Sequence, residues 1–257
     1  MFNLEIFDIK LETEFIGRDF IYCEEIESTN TELLTGKQQY KKNGTVFLAE
    51  KQLAGKGRKN RTWQSAKGLN LTFSILLTKE SLADINTNHI NLSTALAVSE
   101  AIENLYQLRT ELKWPNDVFI GTKKVAGILI ETSIKGNIVE RVVVGIGINL
   151  NQISFQGEFN HPPTSLKLEA HTDINRENML AEIINLFEEK LFELEKTPDN
   201  ILNDWRGKCK MIGDKITITE NDEVKKGVFF DIDENGFLLL KRDNTIEKIH
   251  FGDVSLA

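Results

Sequence analysis

The 257-residue chain predicts an α+β fold ending in a small β-barrel, on three observations. Strand-like apolar segments fill residues 45–151 and are interrupted by a single helical pattern. A long amphipathic helix follows over Arg176 to Lys196. After Met211 only short, closely spaced strand patterns remain.

In chain order, residues 1 to 27 read as a strand-rich lead-in carrying Phe20-Ile21-Tyr22, closed by the polar turn Glu27-Ser28-Thr29-Asn30. Ser28 or Thr29 is placed to cap a helix starting near Asn30, with Glu32 at the positive end of its dipole. Val46 to Ala49, Leu71 to Leu77, Leu112 to Trp114, Val118 to Ile120, Val125 to Thr132 and Val142 to Ile148 carry the β-branched and aromatic bias of strands. Between them Leu92, Leu96, Val98, Ala101, Ile102 and Leu105 recur at helical spacing. The second long helix buries Leu180, Ile184, Phe187, Leu191 and Leu194 as one stripe. From Pro198 to Met211 a short helix carrying Trp205 leads into the tail, whose strands are expected at Lys215 to Thr219, Val224 to Asp233, Phe237 to Lys241 and Ile246 to Phe251. Asn235-Gly236 is a hairpin signal within it. A tail of about 45 residues is too small to fold well alone, so it is expected to pack on the larger part. The expected division is 1–208 and 209–257.

Composition narrows the function. The chain is 40% hydrophobic and 27% charged with a formal net charge of -8, which describes a globular and acidic protein. It has no apolar run of the ~18 residues that a membrane span needs, and Met1-Phe2-Asn3-Leu4-Glu5 lacks the pattern of a signal peptide. The cytoplasm is the expected location, with no membrane partner. Cys23 and Cys209 stand far apart, and His89, His161, His171 and His250 are scattered, so neither a disulfide framework nor a metal-ligand pair is indicated. Net acidity also disfavours DNA or RNA, which reward a broad basic surface.

Against that acidic background, the stretch from Lys51 to Trp63 (KQLAGKGRKNRTW) gathers cations between glycines. Such a loop suits a small, highly charged anion, because glycine lets backbone N–H groups approach phosphate oxygens while side chains neutralise them. Lys113-Trp114-Pro115-Asn116-Asp117 is a rigid turn that aims polar groups from a fixed place. Lys124 opens the apolar strand after it. Gly145 and Gly147 alternate on a strand of Val and Ile and are expected to leave one face open for a flat ligand or a close backbone. Asn149 follows with an amide able to read a heterocycle edge.

Together, Glu27-Ser28-Thr29-Asn30, the Gly55-to-Trp63 loop, Lys113 to Asp117, Lys124-Val125-Ala126-Gly127-Ile128-Leu129 and Gly145-Ile146-Gly147-Ile148-Asn149 resemble the biotin protein ligase family, the biotin:acetyl-CoA-carboxylase ligases. Five motifs in one order, with the β-rich tail, cover nearly the whole chain. The resemblance implies a class II aminoacyl-tRNA synthetase-like catalytic domain over 1–208 and an SH3-like barrel over 209–257. It implies ATP and Mg²⁺ as cofactors, biotin as substrate, and a biotin carboxyl carrier protein or carrier domain as partner. Family members act as monomers or as homodimers, and both remain open for this chain.

Carried onto matching positions, the resemblance gives Ser28, Thr29, Asn30 and Gln52 the ureido ring of biotin and its neighbouring polar edges. Gly127 and Gly145 would leave room for the bicyclic body. Gly55, Lys56, Gly57 and Arg58 would engage the biotin carboxylate and the phosphates, with Lys59 and Arg61 as further nucleotide ligands and Trp63 as a wall. Lys124 would bridge carboxylate and α-phosphate, and Asn149 would read adenine. Lys113, Asn116 and Asp117 would serve ATP, magnesium or the incoming lysine. Mg²⁺ would enter mainly with the ATP phosphates, Asp117 being the side chain offered to it. Arg58, Lys124 and Asp117 form the implied catalytic set. In the first step the biotin carboxylate attacks the α-phosphorus and pyrophosphate leaves. In the second a neutral carrier lysine, oriented or deprotonated by Asp117, attacks the acyl carbon of biotinoyl-5'-AMP and releases AMP.

Two departures stand out. The family usually reads Gly-Arg-Gly-Arg-Arg-Gly-Arg, whereas here Lys56 replaces the first arginine and Asn60 the third glycine. Lysine keeps the charge without the bidentate geometry, and Asn60 tolerates positive φ better than most residues. Only about 27 residues precede the Ser-Thr-Asn motif, fewer than a winged-helix DNA-binding domain needs, so operon repression is not expected. Taken singly, each motif has an ordinary reading: the glycine loop as a solvated hairpin, Lys124 as a snorkelling strand residue, Trp63 and Trp114 as core, Ser28 and Thr29 as caps, Asn149 and Asp117 as turn residues. Lipoate or octanoyl transfer, and a non-enzymatic ligand-responsive module, are the alternative functions. The glycine loop is expected to be mobile without ligand and ordered with it.

Overall fold

Residues 2–35, 40–78, 86–136, 138–220 and 223–256 are described in the computed structural model. The order is α1 (Leu4–Lys10), β1 (Phe20–Ile26), α2 (Thr29–Leu34), β2 (Val46–Gln52), a 3-10 turn (Arg58–Asn60), β3 (Leu71–Thr78), α3 (Thr87–Tyr106), β4 (Glu111–Lys113), β5 (Asp117–Ile120), β6 (Lys123–Lys135) and β7 (Ile138–Ile148). Then come α4 (Leu166–Ala170), α5 (Arg176–Lys196), α6 (Pro198–Lys208), β8 (Lys215–Glu220), β9 (Glu223–Ile232), β10 (Leu238–Arg242), β11 (Thr245–Ile249) and β12 (Asp253–Leu256).

The first seven strands form one sheet in the order β1-β2-β3-β7-β6-β5-β4, in which only the β1–β2 pairing is parallel. Period-2 alternation sorts its two faces. Leu71, Phe73, Ile75 and Leu77 of β3, Val144, Ile146 and Ile148 of β7, and Ala126 and Ile128 of β6 join the main core under α3 and α5. The intervening residues of the same strands face the other way. Near one end, Leu76, Val143 and Phe47 pack with Leu33 of α2 in a second, small cluster. Further along that face the side chains shrink to Thr72, Ser74, Gly127, Gly145 and Gly147, which opens a cavity beside α2.

The strand-rich lead-in expected over residues 1–27 is corrected: it begins with a helix. Asn3 Oδ1 caps α1 by accepting from the backbone N–H groups of Glu5 at 3.0 Å and Ile6 at 3.2 Å. Phe7 is drawn inward against Phe20, their rings 4.7 Å apart. The next segment is held by the buried carboxylate of Glu188 in α5, which accepts from the backbone of Phe15 at 3.0 Å and Ile16 at 2.8 Å. The expected bounds of α5 are met, and Leu180, Ile184, Phe187, Leu191 and Leu194 are all buried. Two short elements, α4 and β12, were not foreseen.

The tail forms an antiparallel sheet in the order β11-β10-β9-β8-β12, and its Ile218, Phe229, Leu240 and Ile249 belong to the same buried cluster as Trp114 and Trp205. Its β9–β10 turn reaches back to the N-terminal end of α3. There the Trp114 indole donates to Gly236 O at 3.1 Å, and Asn88 Nδ2 donates to Asn235 O at 3.2 Å. Gly236 occupies the left-handed region at φ 77°, as the Asn-Gly signal requires. Arg206 of α6 clasps the other side, donating to Asp231 Oδ1 at 2.7 Å and Ile232 O at 2.8 Å. Among the described residues no helix is long and apolar enough to cross a membrane.

One buried ion pair ties the helical layer to the strand leading into the site. Arg176 of α5 donates to both oxygens of Glu50 on β2, at 2.6 and 2.8 Å, while Tyr22 OH donates to Glu50 Oε1 at 2.8 Å. Burial pushes the Glu50 carboxyl up, but the hydrogen bonds from Arg176 and Tyr22 outweigh it and hold the group below the usual carboxylate range. Removing Arg176 strands a buried charge, so Arg176→Met is expected to cost about 3–5 kcal/mol in urea unfolding at pH 7. Since the folded-state pKa of Glu50 is depressed, its contribution is present above the ordinary carboxylate value and is lost as pH falls through the folded value. The gap between wild type and Arg176→Met should therefore narrow in acid; a gap that widens contradicts this.

Candidate active site

A cavity of about 910 Å³ opens on the small-residue face of the large sheet. Its floor is a polar chain set by α2. Ser28 caps that helix, its Oγ accepting from Thr31 N at 3.4 Å, which turns Thr29 and Asn30 toward the sheet. Thr29 N and Oγ1 donate to Gln52 Oε1 at 2.7 and 3.0 Å, and Thr29 Oγ1 lies 2.6 Å from Ser74 Oγ. Ser74 Oγ donates to Asn30 Oδ1 at 2.6 Å, and Asn30 Nδ2 reaches Leu129 O at 3.2 Å and Glu131 Oε2 at 2.8 Å. The face expected to stay open over Gly145 and Gly147 is corrected. A Cβ on Gly145 would collide with the Asn30 amide, and one on Gly147 with the Trp63 indole. The glycines admit protein side chains rather than leaving a bare floor.

The glycine-spaced loop folds back as a small hairpin over this floor. Trp63 N donates to Gly55 O at 2.9 Å and Gly57 N to Arg61 O at 2.7 Å, so these N–H groups are used within the loop. Within the loop, Lys59 occupies the left-handed region at φ 54°. Three of the loop's cations reach the C-terminal tail: Arg58 Nη2 donates to Gly252 O at 3.3 Å, Lys59 Nζ to Thr219 O at 2.9 Å, and Arg61 pairs with Asp253, whereas Lys56 Nζ donates to Thr31 Oγ1 at 3.1 Å. Burial lowers the Arg58 guanidinium from its usual value, with Asp253 and Asp117 opposing. Burial would raise Asp253, yet Arg61, Lys59 and Arg58 bring it below the usual carboxylate range.

From the far strands come the remaining groups. Lys124 Nζ lies 2.6 Å from Asp117 Oδ1 and 5.7 Å from the centre of the Trp63 ring. Arg58 Nη1 donates to Asn116 Oδ1 at 3.3 Å. Lys113, opposite Asp117 in the β4–β5 register, meets His161 Nε2. Asn149 is buried; its Nδ2 donates to Thr164 O at 3.0 Å, while its Oδ1 has no partner among the described residues. The indole N–H of Trp63 is likewise buried without one. An unmet buried acceptor costs about 1–3 kcal/mol, so Asn149 awaits a donor.

Ser28, Thr29, Asn30, Gln52, Lys56, Gly57, Arg58, Arg61, Trp63, Lys113, Asn116, Asp117, Lys124, Gly127, Gly145 and Asn149 all line this one cavity. Gly55 and Lys59 do not: Gly55 closes the hairpin behind Trp63, and Lys59 points at the C-terminal sheet. Sequence reasoning missed Ser74, Glu131, His161 and Asp253. Ser74 left a signal, a polar residue in an apolar strand on the same face as Gly145. Asp253 left none, being brought in by the tail.

A sequence profile of the Biotin/lipoate A/B protein ligase family matches residues 22–149, and one of the Biotin protein ligase C terminal domain matches residues 211–257. The chain is 33% identical over 252 residues to the Bifunctional ligase/repressor BirA of Bacillus spizizenii, covering 96% of this chain and 77% of that protein. This chain belongs to the biotin protein ligase family. It is 31% identical over 224 residues to the Biotin--[acetyl-CoA-carboxylase] ligase of Paracoccus denitrificans, covering 84% of this chain and 91% of that protein. The structure of a biotin protein ligase from Aquifex aeolicus in complex with biotin and ATP superposes with a TM-score of 0.81 at 30% identity, covering 93% of this chain and 99% of that one. The five motifs and the tail that carry the resemblance thus lie in a biotin ligase fold, with a mixed sheet and a C-terminal antiparallel sheet.

The packing over the two glycines is testable without ligand. Gly145→Ala should dislodge the Asn30 amide and cost about 1–3 kcal/mol in thermal or urea unfolding. Gly147→Ala should push out the Trp63 indole and shift tryptophan emission to longer wavelength. Unchanged stability in the first and unchanged emission in the second would contradict the packing.

Proposed function

We propose that this cavity carries out both halves of protein biotinylation: joining the biotin carboxylate to the α-phosphate of ATP, then passing the biotinoyl group to a lysine of a biotin carboxyl carrier domain. The observation that carries this reading is the convergence of Lys56, Arg58, Arg61, Lys113 and Lys124, from separate segments, on one cavity of an acidic chain. Bringing an anionic nucleophile to an anionic phosphorus needs such an array, fixed in advance.

Roles follow from position. Thr29, Gln52 and the Ser74–Asn30 chain give the polar edge beside which the ureido group of biotin sits, with Ser28 setting their helix. Gly127 and Gly145 let Lys124, Trp63 and Asn30 pack onto the strands, and these side chains wall the space for the ligand's bicyclic body. Lys124 is held by Asp117 at 2.6 Å; an incoming carboxylate or phosphate takes over the ammonium, and Asp117 is released to accept a proton from the carrier amine. Asn149 Oδ1, buried and without a partner among the described residues, suits the exocyclic amine of adenine. Lys56 and Arg58 engage carboxylate and phosphates; Arg61, Lys113 and Asn116 complete the nucleotide side. Trp63 covers the reacting atoms. The two steps release pyrophosphate and then AMP, with no covalent enzyme intermediate.

Among the described residues no group of three His, Cys, Asp or Glu side chains builds a metal site, and Asp117 is paired with Lys124. Mg²⁺ therefore fits as a companion of the ATP phosphates, where it supplies charge neutralisation. We also divide the chain at 208/209, a class II aminoacyl-tRNA synthetase-like catalytic domain followed by an SH3-like domain. In support, α6 ends at Lys208, the C-terminal profile begins at residue 211, and five short antiparallel strands follow.

Lys124→Ala and Arg58→Ala should fold normally yet lose most biotinoyl-adenylate formation, on the order of 100-fold for each, as expected when one well-placed donor is removed. Pyrophosphate release with biotin and MgATP measures it. Wild-type rates in both variants would count against the site.

A further inference from the structure

Lys113 and His161 are 48 residues apart, yet Lys113 Nζ and His161 Nε2 are in hydrogen-bonding contact at the cavity wall. His161 belongs to the segment between β7 and α4, one of the stretches from which sequence drew no site residue. Its place is fixed by backbone pairing with β6: Lys124 N donates to Pro162 O and Thr164 N to Lys124 O, both at 2.9 Å. The imidazole stands edge-on to the Phe119 ring, centroids 5.3 Å apart, and the Lys113 ammonium lies 5.7 Å from the same ring. The result is a three-membered stack of lysine, histidine and phenylalanine built from β4, β5 and the loop after β7.

We propose that His161 is a positioning residue for Lys113, its Nε2 accepting from the ammonium and fixing that charge toward the polyphosphate end of the bound nucleotide. This rests on the reading of the cavity as an ATP site.

Lysine carries a compact charge on a flexible four-carbon stem, so a half-buried one needs an acceptor to hold a single direction. The other charged groups acting on the pair are Asp117 and Lys124, Arg61 of the glycine loop and Asp253 of the tail, and Glu158 of the loop that carries His161 lines the same cavity. Asp117 is paired with Lys124 and Asp253 with Arg61, while Lys113 Nζ is in hydrogen-bonding contact with the imidazole. Burial, and then the adjacent ammonium, push His161 below the usual imidazole range, which favours the neutral ring; in the tautomer with its proton on Nδ1, Nε2 is free to accept. Lys124 and Arg61 both act on Lys113 through space and line the same cavity, and the triphosphate is the ligand part whose negative charge matches the three cations.

The test uses the full chain carrying H161A, H161Q or H161K. Steady-state adenylate formation is measured against ATP and against biotin, and single-turnover transfer is measured from preformed biotinoyl-5'-AMP to a carrier domain. H161A should raise the KM for ATP about tenfold with kcat changed less than about threefold, while the KM for biotin and the transfer rate stay put. H161Q, a neutral acceptor of similar reach, should restore the ATP KM to within about threefold of wild type, whereas H161K, which offers no acceptor, should match or exceed the H161A defect. If H161A fails to fold, the contrast between H161Q and H161K carries the same comparison. Overturning results are an ATP KM unchanged in H161A, equal behaviour of H161Q and H161K, or a biotin KM that rises in parallel. A wild-type protein that makes no adenylate would overturn the reading beneath; normal wild-type adenylation with an unaffected H161A overturns this inference alone.

Discussion

Everything in the site depends on holding five cations around one cavity in a protein whose net charge is -8. Two like charges about 4 Å apart repel by roughly 4 kcal/mol at an effective dielectric of 20, so the array exists only because something answers it. In this fold that answer comes from two carboxylates and an imidazole: Asp117 on Lys124, Asp253 on Arg61, and His161 on Lys113. On the function proposed above, a nucleotide and a carboxylate entering the cavity would supply negative charge to the same cations. On that reading, binding would be an exchange of partners around fixed cations that frees Asp117 from Lys124.

The scaffold makes that array affordable by dividing one sheet into two unlike faces. Phe73, Ile75, Ile146 and Ile128 bury one face under α3 and α5, which gives the sheet its rigidity. Thr72, Ser74, Gly145 and Gly147 keep the other face low, so that Asn30 and Trp63 can sit directly on the strands. The Glu50–Arg176 pair fastens the strand that carries Gln52 to the helical layer behind it. From outside, the tail presses Gly252, Asp253 and Thr219 against the glycine loop. The two matching profiles, over residues 22–149 and 211–257, cover the sheet and the tail separately.

Where a side chain's neighbours are close in sequence, its role could be read in advance. The helix over Arg176 to Lys196 declared itself by a five-residue apolar stripe, and Ser28 by its place before Asn30 and Glu32. The lead-in helix was misread because Leu4–Lys10 is only seven residues long and depends on Asn3 and on Phe20, which lies in another element. Strand β12 escaped because Val254 is its one buried residue. Gly145 and Gly147 were rightly singled out, but what they admit comes from α2 and from the loop, neither visible in the strand itself. His161 and Asp253 were illegible for the same reason: each meets its cation across a tertiary contact, and an isolated histidine or aspartate carries no pattern.

The central claim is that these cations make biotin's carboxylate react with ATP for delivery to a protein lysine. Incubating the purified chain with biotin, MgATP and a biotin carboxyl carrier domain, and weighing the carrier by mass spectrometry, tests it most directly. The carrier should gain the mass of one biotinoyl group, only when ATP and biotin are both present. A carrier left unmodified, or one that gains a lipoyl group from lipoate while ignoring biotin, would contradict it.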